Sequence, residues 1–300
     1  MTEAAPALSV IVAAPASPPD VEGCLKPIMR QCRGQRAEVL VTYSATHEPR
    51  RATGSNGARV TFMDLSPTAP LPAHLRKAIA RAGGNIIAVT EGTCAIDDGW
   101  IRAIVHAQRG PHPVVGGAVE PLGLRTVVDW AAYFTDYGQF MLPLPEGYAR
   151  EIPGNNFALK RSALAQGGEF PDGGFWKTFW CQRLQAQGIA LYATPAMVVY
   201  YRKSFRFWPY LVHRFHNGRC FGGMRAGELH GRERVLRLAA APGLPVLFCA
   251  RIVRAVLSKR RFRREFVLAF PVIVLATIPW ALGEFVGYLW GPGRSCRHVR

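Results

Sequence analysis

Short apolar runs alternate with amphipathic stretches through the first two thirds of the chain, and much longer apolar stretches replace them near the end. Residues 8–14, 38–42, 59–63 and 86–89 are runs dominated by apolar and β-branched residues, each too short for a helix, and they read as strands covered on both faces. Between them, residues 19–33, 72–81 and 97–108 repeat apolar positions at three- and four-residue spacing and read as helices, with Asp20 as the N-cap of the first. Strands alternating with helices predict an α/β domain. The apolar run at 7–14 lacks a cationic leader and follows Glu3, so it reads as the first strand rather than a secretory signal. We expect that domain to occupy residues 1–201, a basic, aromatic amphipathic connection to occupy 202–235, and apolar C-terminal helices to occupy 236–300.

Charge sharpens the division. Residues 1–201 carry +2 and residues 202–300 carry +15 of the total +17. A cationic region beside long apolar runs points to an anionic membrane surface. Nucleic acid also attracts such a charge, but these stretches are too apolar for a solvated groove, so no nucleic-acid partner is expected. Phe205, Phe207, Trp208, Tyr210 and Phe215 lie among Arg202, Lys203, Arg206, Arg214 and Arg219, a composition that suits a helix in a lipid interface. His213 and His216 share a helix face without a third ligand nearby. Residues 236–257 contain Pro242, Pro245, Arg251 and Arg254 and read as interfacial or re-entrant, whereas 266–290 is long enough to span. Residues 258–265, SKRRFRRE, hold five cations and one acid, and such a loop stays cytoplasmic.

The 300 residues, 49% hydrophobic, are enough for one large domain plus an appendage. Seven cysteines are scattered without C-x-x-C spacing, so neither a zinc site nor a disulfide framework is expected, and a reducing compartment is.

The candidate chemistry lies in AGGNIIAVTEGTCAIDDGW, residues 82–100. A turn feeds a strand, a polar loop follows, and an Asp-Asp-Gly-Trp helix start closes the segment. Further on come VVGGAVEP at 114–121, DWAAYFTDYG at 129–138 and IPGNNFALKRSAL at 152–164. Together these segments resemble the membrane-associated family 2 glycosyltransferases of the GT-A fold, a Rossmann-like nucleotide-binding mixed sheet, and the resemblance covers most of the chain.

That resemblance implies transfer of a sugar, with inversion, from a nucleotide-sugar to a membrane-held acceptor such as a polyprenyl-linked glycan or a lipid, at the cytoplasmic face of the plasma membrane. It places Pro15, Tyr43, Ser44, Arg76, Glu91 and Thr93 around the donor, and Gly154, Asn155, Asn156 and Trp176 around the acceptor. Four motif positions differ from the family's. Tyr43-Ser44-Ala45-Thr46 stands in place of an acid-rich segment. Glu91-Gly92-Thr93 replaces the Asp-x-Asp that holds Mg²⁺ or Mn²⁺, leaving Glu91 as the one carboxylate for a metal that favours several anionic oxygens. Lys177 stands where the acceptor-activating acid is expected, and Val199-Tyr200-Tyr201 where a His often follows the last strand. Asp172, Glu169 and Asp98 are the acids that could act as base instead. Lys177 could do so only with its pKa lowered by burial, and Arg76 or Lys177 could neutralise the diphosphate in place of metal. Asp97 and Asp98 have a second reading as helix-capping residues. The alternative function is a catalytically silent GT-A module serving a membrane-protein partner.

Overall fold

A computed structural model of the chain describes residues 6–14, 21–44, 59–66, 69–168, 170 and 173–299. Its elements are, in order, β1 (Leu8–Ala14), α1 (Val21–Gln31), β2 (Ala37–Ser44), β3 (Arg59–Leu65), α2 (Leu71–Arg81), β4 (Ile86–Glu91), β5 (Cys94–Ile96), α3 (Trp100–Arg109), β6 (Val114–Pro121) and α4 (Val127–Tyr137). There follow β7 (Gly147–Ala149), β8 (Asn156–Lys160), α5 (Arg161–Gly167), α6 (Trp176–Ala186), β9 (Leu191–Tyr201), α7 (Phe207–Ala226), α8 (Gly231–Ala240), α9 (Leu244–Ser258) and α10 (Arg263–Trp290). The chain forms two compact units. The first comprises residues 1–122, 142–172 and 176–202; the second comprises 123–141, 173–175 and 203–300.

The first unit is built on a nine-stranded mixed sheet in the order β3-β2-β1-β4-β8-β6-β9-β5, with β7 also paired to β9. The strands β1 to β4 run parallel, and every residue of β1 is buried, as a strand covered on both faces requires. The sheet turns antiparallel at β8, which lies between β4 and β6. Each strand expected from the pattern is present, and α1, α2 and α3 fall within a few residues of the expected helices. The cap residue Asp20 lies outside the described residues. One expected loop is instead a strand: Cys94 and Ile96 turn inward, and β5 pairs with β9.

Gly116 and Gly117 in β6 show why that strand reads VVGGAVEP. A Cβ on Gly116 would stand 2.5 Å from Ile152, and one on Gly117 would stand 2.1 Å from the Met197 carbonyl oxygen. The register of β6 against β9 shifts at this point. Asn156 fills the space beside it, accepting from Trp100 Nε1 at 2.8 Å and donating to the Ala118 and Met197 carbonyls at 2.7 and 2.9 Å. A buried amide with three partners fixes how β6, β8, β9 and α3 cross.

The second unit is helical. α4 opens with a reciprocal cap between Thr126 and Asp129, and Asp129 also accepts from the Phe205 amide at 2.9 Å. Burial pushes the Asp129 carboxyl up, but the Phe205 and Thr126 hydrogen bonds outweigh it and hold the group below its ordinary value. α7 and α10 lie backbone to backbone because each carries a Gly-x-x-x-Gly. A Cβ at Gly218 or Gly222 would lie 2.1 or 2.4 Å from the Trp280 or Glu284 carbonyl oxygen, and one at Gly283 or Gly287 would lie 2.1 or 2.5 Å from that of Phe215 or Arg219. Small residues at this spacing are what close helix approach demands. Arg214 is buried in the unit, paired with Asp136 at 2.9 Å and lying over the Trp280 ring at 4.2 Å. Glu284 is 3% exposed and accepts from Trp280 Nε1 and the Tyr288 hydroxyl.

The cysteines correct the sequence expectation. Cys220 in α7 is disulfide-bonded to Cys296, 76 residues on, so the scattered spacing conceals one bridge and no longer argues for a reducing compartment. The other five are free thiols.

Candidate functional site

The register of the parallel strands assembles one edge of the first unit. Ala13 pairs with Glu91 and Ala14 with Tyr43, so the C-terminal ends of β1, β2 and β4 stand side by side. Ligands of open α/β sheets bind at such an edge. The antiparallel partner brings in the next group: Thr90 pairs with Asn156, which sets Asn155 and Gly154 beside Glu91. Contacts bind the pieces together. Thr93 Oγ1 donates to Glu91 Oε2 at 3.5 Å, Cys24 Sγ reaches the Glu91 carbonyl at 3.6 Å, and Asn155 Nδ2 reaches Cys94 Sγ at 3.4 Å. Asn155 is buried, and its Oδ1 has no hydrogen-bond partner among the described residues.

Gly154 has nothing within 4 Å of where a Cβ would lie, leaving backbone open beside that acceptor. Lys177, at the start of α6, donates from Nζ to the Ile152 carbonyl. That bond ties Lys177 to the strand entry that carries Gly154 and Asn155. Next to it is a cleft of about 90 Å³ lined by Arg150, Glu151, Lys177, Thr178, Cys181 and Gln182, among others. Burial pushes the Cys181 thiol up to about 11, so it is no nucleophile.

Several expected site residues are placed elsewhere. Trp176 is buried against Phe157 and Phe170, with ring centroids 6.1 and 4.8 Å away, and belongs to the core. Asn156 is committed to the strand crossing described above. Arg76 stands on the exposed face of α2. Asp98 is exposed and paired with Arg30. Pro15, Glu169 and Asp172 lie outside the described residues, as does the side chain of Ser44.

Asp97, Tyr200 and Glu120 form a group that the pattern does not reveal. Asp97 accepts from the Gly99 amide at 2.9 Å and the Tyr200 hydroxyl at 3.2 Å; α3 starts from Gly99 without a side-chain cap, so Asp97 braces the turn before the helix rather than capping it as the sequence allowed. Glu120 is buried and accepts from the Leu142 amide at 2.8 Å. Burial, with Asp97 and Glu120 adding negative charge, raises the Tyr200 hydroxyl above its usual value. An acid at strand position 120 opposite a tyrosine at 200 was the available signal, since β6 and β9 place them in register.

No cluster of three His, Cys, Asp or Glu side chains comes together among the described residues to hold a metal ion. Glu91 and a hydroxyl already bonded to it are a poor donor set for a hard divalent cation, which takes six or more oxygens.

No protein-family model and no curated protein sequence matches the chain. By structure, it resembles a mannosyltransferase from Pyrobaculum calidifontis solved with GDP-mannose and Mn²⁺, with 18% identity over 95% of this chain and 88% of that one and a TM-score of 0.62. It also matches residues 1–349 of TarS from S. aureus, with 12% identity over 92% and 90% of the two chains and a TM-score of 0.49. The fold is therefore a GT-A-like glycosyltransferase fold with two apolar C-terminal helices.

Proposed function

We propose that the chain is a family 2-type inverting glycosyltransferase, moving a sugar from a nucleotide donor to a polyprenyl-linked glycan or lipid at the cytoplasmic membrane face. The observation that carries this reading is the convergence of the β1, β2 and β4 ends with the 154–155 loop, whose buried Asn155 oxygen has no donor among the described residues. The nucleotide lies along the strand ends near Tyr43, Glu91 and Thr93. The acceptor enters on the Gly154–Asn155 side, its hydroxyl attacks the anomeric carbon, a base takes the proton, and positive charge stabilises the departing diphosphate. No step is routed through a metal, because the donor set does not fit one.

A second reading, a silent GT-A module that assists a membrane-protein partner, is favoured by Lys177, hydrogen-bonded to the Ile152 carbonyl, standing where the resemblance expects an acid. Calorimetric titration of the full chain with GDP-mannose and UDP-glucose, with and without Mn²⁺, followed by assay of nucleotide release, separates the two. The transferase reading expects a bound donor, affinity changed less than about threefold by chelation, and slow nucleotide release. Metal-dependent binding abolished by Glu91→Ala would overturn the metal-independent site. Binding without any release, with or without a lipid extract, supports the silent module, and the absence of binding refutes the transferase.

A further inference from the structure

The second unit's helices turn a broad apolar surface outward. Val246 and Leu247 on α9 and Val267, Leu268, Ile278 and Leu282 on α10 are all exposed, and Gly231–Ser258 and Arg263–Trp290 are each long and apolar enough to cross a membrane. Arg251, Arg254, Arg260, Arg263 and Arg264 are exposed along the same helices and their connecting turn. Apolar faces flanked by cations complement one surface, an anionic bilayer, with arginines reaching its headgroups.

The contacts constrain how that surface is covered. Cys220 precedes both apolar helices, Cys296 follows them, and their Cα atoms lie 4.8 Å apart. The His216 ring stacks on His298 at 4.3 Å. Arg234, near the start of α8, donates to the carbonyls of Tyr288 and Leu289 at the end of α10. Points before and after the helices are therefore in one place, and the chain between them crosses a membrane an even number of times. Two crossings would carry the basic turn to the far side and leave Arg251 and Arg254 in hydrocarbon. They would also submerge α7, on whose glycine face α10 lies, together with Arg214 and Asn217.

Resting on the membrane-face reading above, we propose that α8, α9 and α10 form a hairpin embedded from one side in an anionic leaflet, crossing it zero times, with the turn and both ends on the cytoplasmic face. This replaces a single span by residues 266–290.

The test uses the full chain with Arg261→Cys in the turn or Arg294→Cys beyond α10, expressed in a bacterial host and probed with a membrane-impermeant maleimide. The result expected is labelling of both variants in inverted inner-membrane vesicles and of neither in intact spheroplasts. Labelling of either position from the spheroplast side, or of the turn only after detergent, overturns the one-sided hairpin while leaving membrane attachment intact. Recovery of the chain in the soluble fraction at low salt overturns membrane attachment itself. Arg251→Glu with Arg254→Glu, assayed by flotation on phosphatidylglycerol vesicles, is expected to lower binding at least about tenfold; unchanged binding also contradicts the proposal.

Discussion

Buried polar groups of the first unit hold strands in register, whereas those of the second hold helices against each other. In the first, Asn156 and Ser9 are buried hydrogen-bonding hubs, and the charged pair Arg30–Asp98 lies out in solvent. In the second, Arg214 is itself buried between Asp136 and Trp280, and Glu284 sits inside a helix whose outer face is apolar. The Arg214 charge enclosed in the second unit is paired there, since an unpaired buried charge would be costly.

The sharpest break in this comparison is at the glycines. In an ordinary helix Gly→Ala stabilises by about 1 kcal/mol. At Gly218 or Gly283 the added Cβ meets backbone that cannot yield, so each alanine is expected to destabilise the second unit by about 3 kcal/mol or more. Gly154→Ala in the first unit meets open space and should stay within about 0.5 kcal/mol. Thermal unfolding of the three variants in detergent checks this, and a neutral Gly218→Ala would mean that α7 and α10 are not in backbone contact.

Next come the ion pairs. Asp136→Asn leaves Arg214 buried without its counter-charge and is expected to lower stability by about 2–4 kcal/mol. Asp98→Asn, removing a pair whose side chains are 60% and 81% exposed, should change stability by under about 1 kcal/mol. Equal effects would erase the contrast between the units.

The smallest effect is shared. Burial lowers His74 in the first unit and His213 in the second to about 4, below the ordinary value near 6.5. Both are held neutral in the fold, so their stability contribution is present above pH 6.5 and is lost as pH falls from there toward 4. The loss is roughly 2 kcal/mol per histidine at pH 5. Denaturant unfolding between pH 7 and 5 should show each unit weakening, with His74→Gln relieving only the first and His213→Gln only the second.

Strand ends were legible because local pattern decides them: β1 and β4 are runs dominated by apolar residues, and Tyr43, Glu91 and Thr93 stand at or just past the ends of β2 and β4, on the edge of the candidate site. What depended on distant partners was not. β5 is three residues long and is a strand only because β9 pairs with it. Trp176 reads as an acceptor aromatic until Phe157 and Phe170 pack around it. No spacing rule joins Cys220 to Cys296, and Asp136 gives no local sign of its partner 78 residues away. The paired Gly-x-x-x-Gly of α7 and α10 was written in the chain and could have signalled their contact.

The edge of the first sheet opposite the candidate site is clamped. Ser9 Oγ accepts from the Gly84 amide and donates to Glu38, Glu38 accepts from the Gly83 amide, and Arg161 donates to the carbonyls of Ala82 and Gly84. These bonds fasten the beginnings of β1, β2 and β4 to the start of α5, at the end of the strands away from the loop at 91–93. Such a division makes the scaffold permissive: loops at 91–93 can exchange acids for neutral residues, or regain them, and the sheet beneath is unchanged. A sheet fastened at one end in this way can carry different residues at its other end by point replacement, and one scaffold can outlast several sets of loop residues.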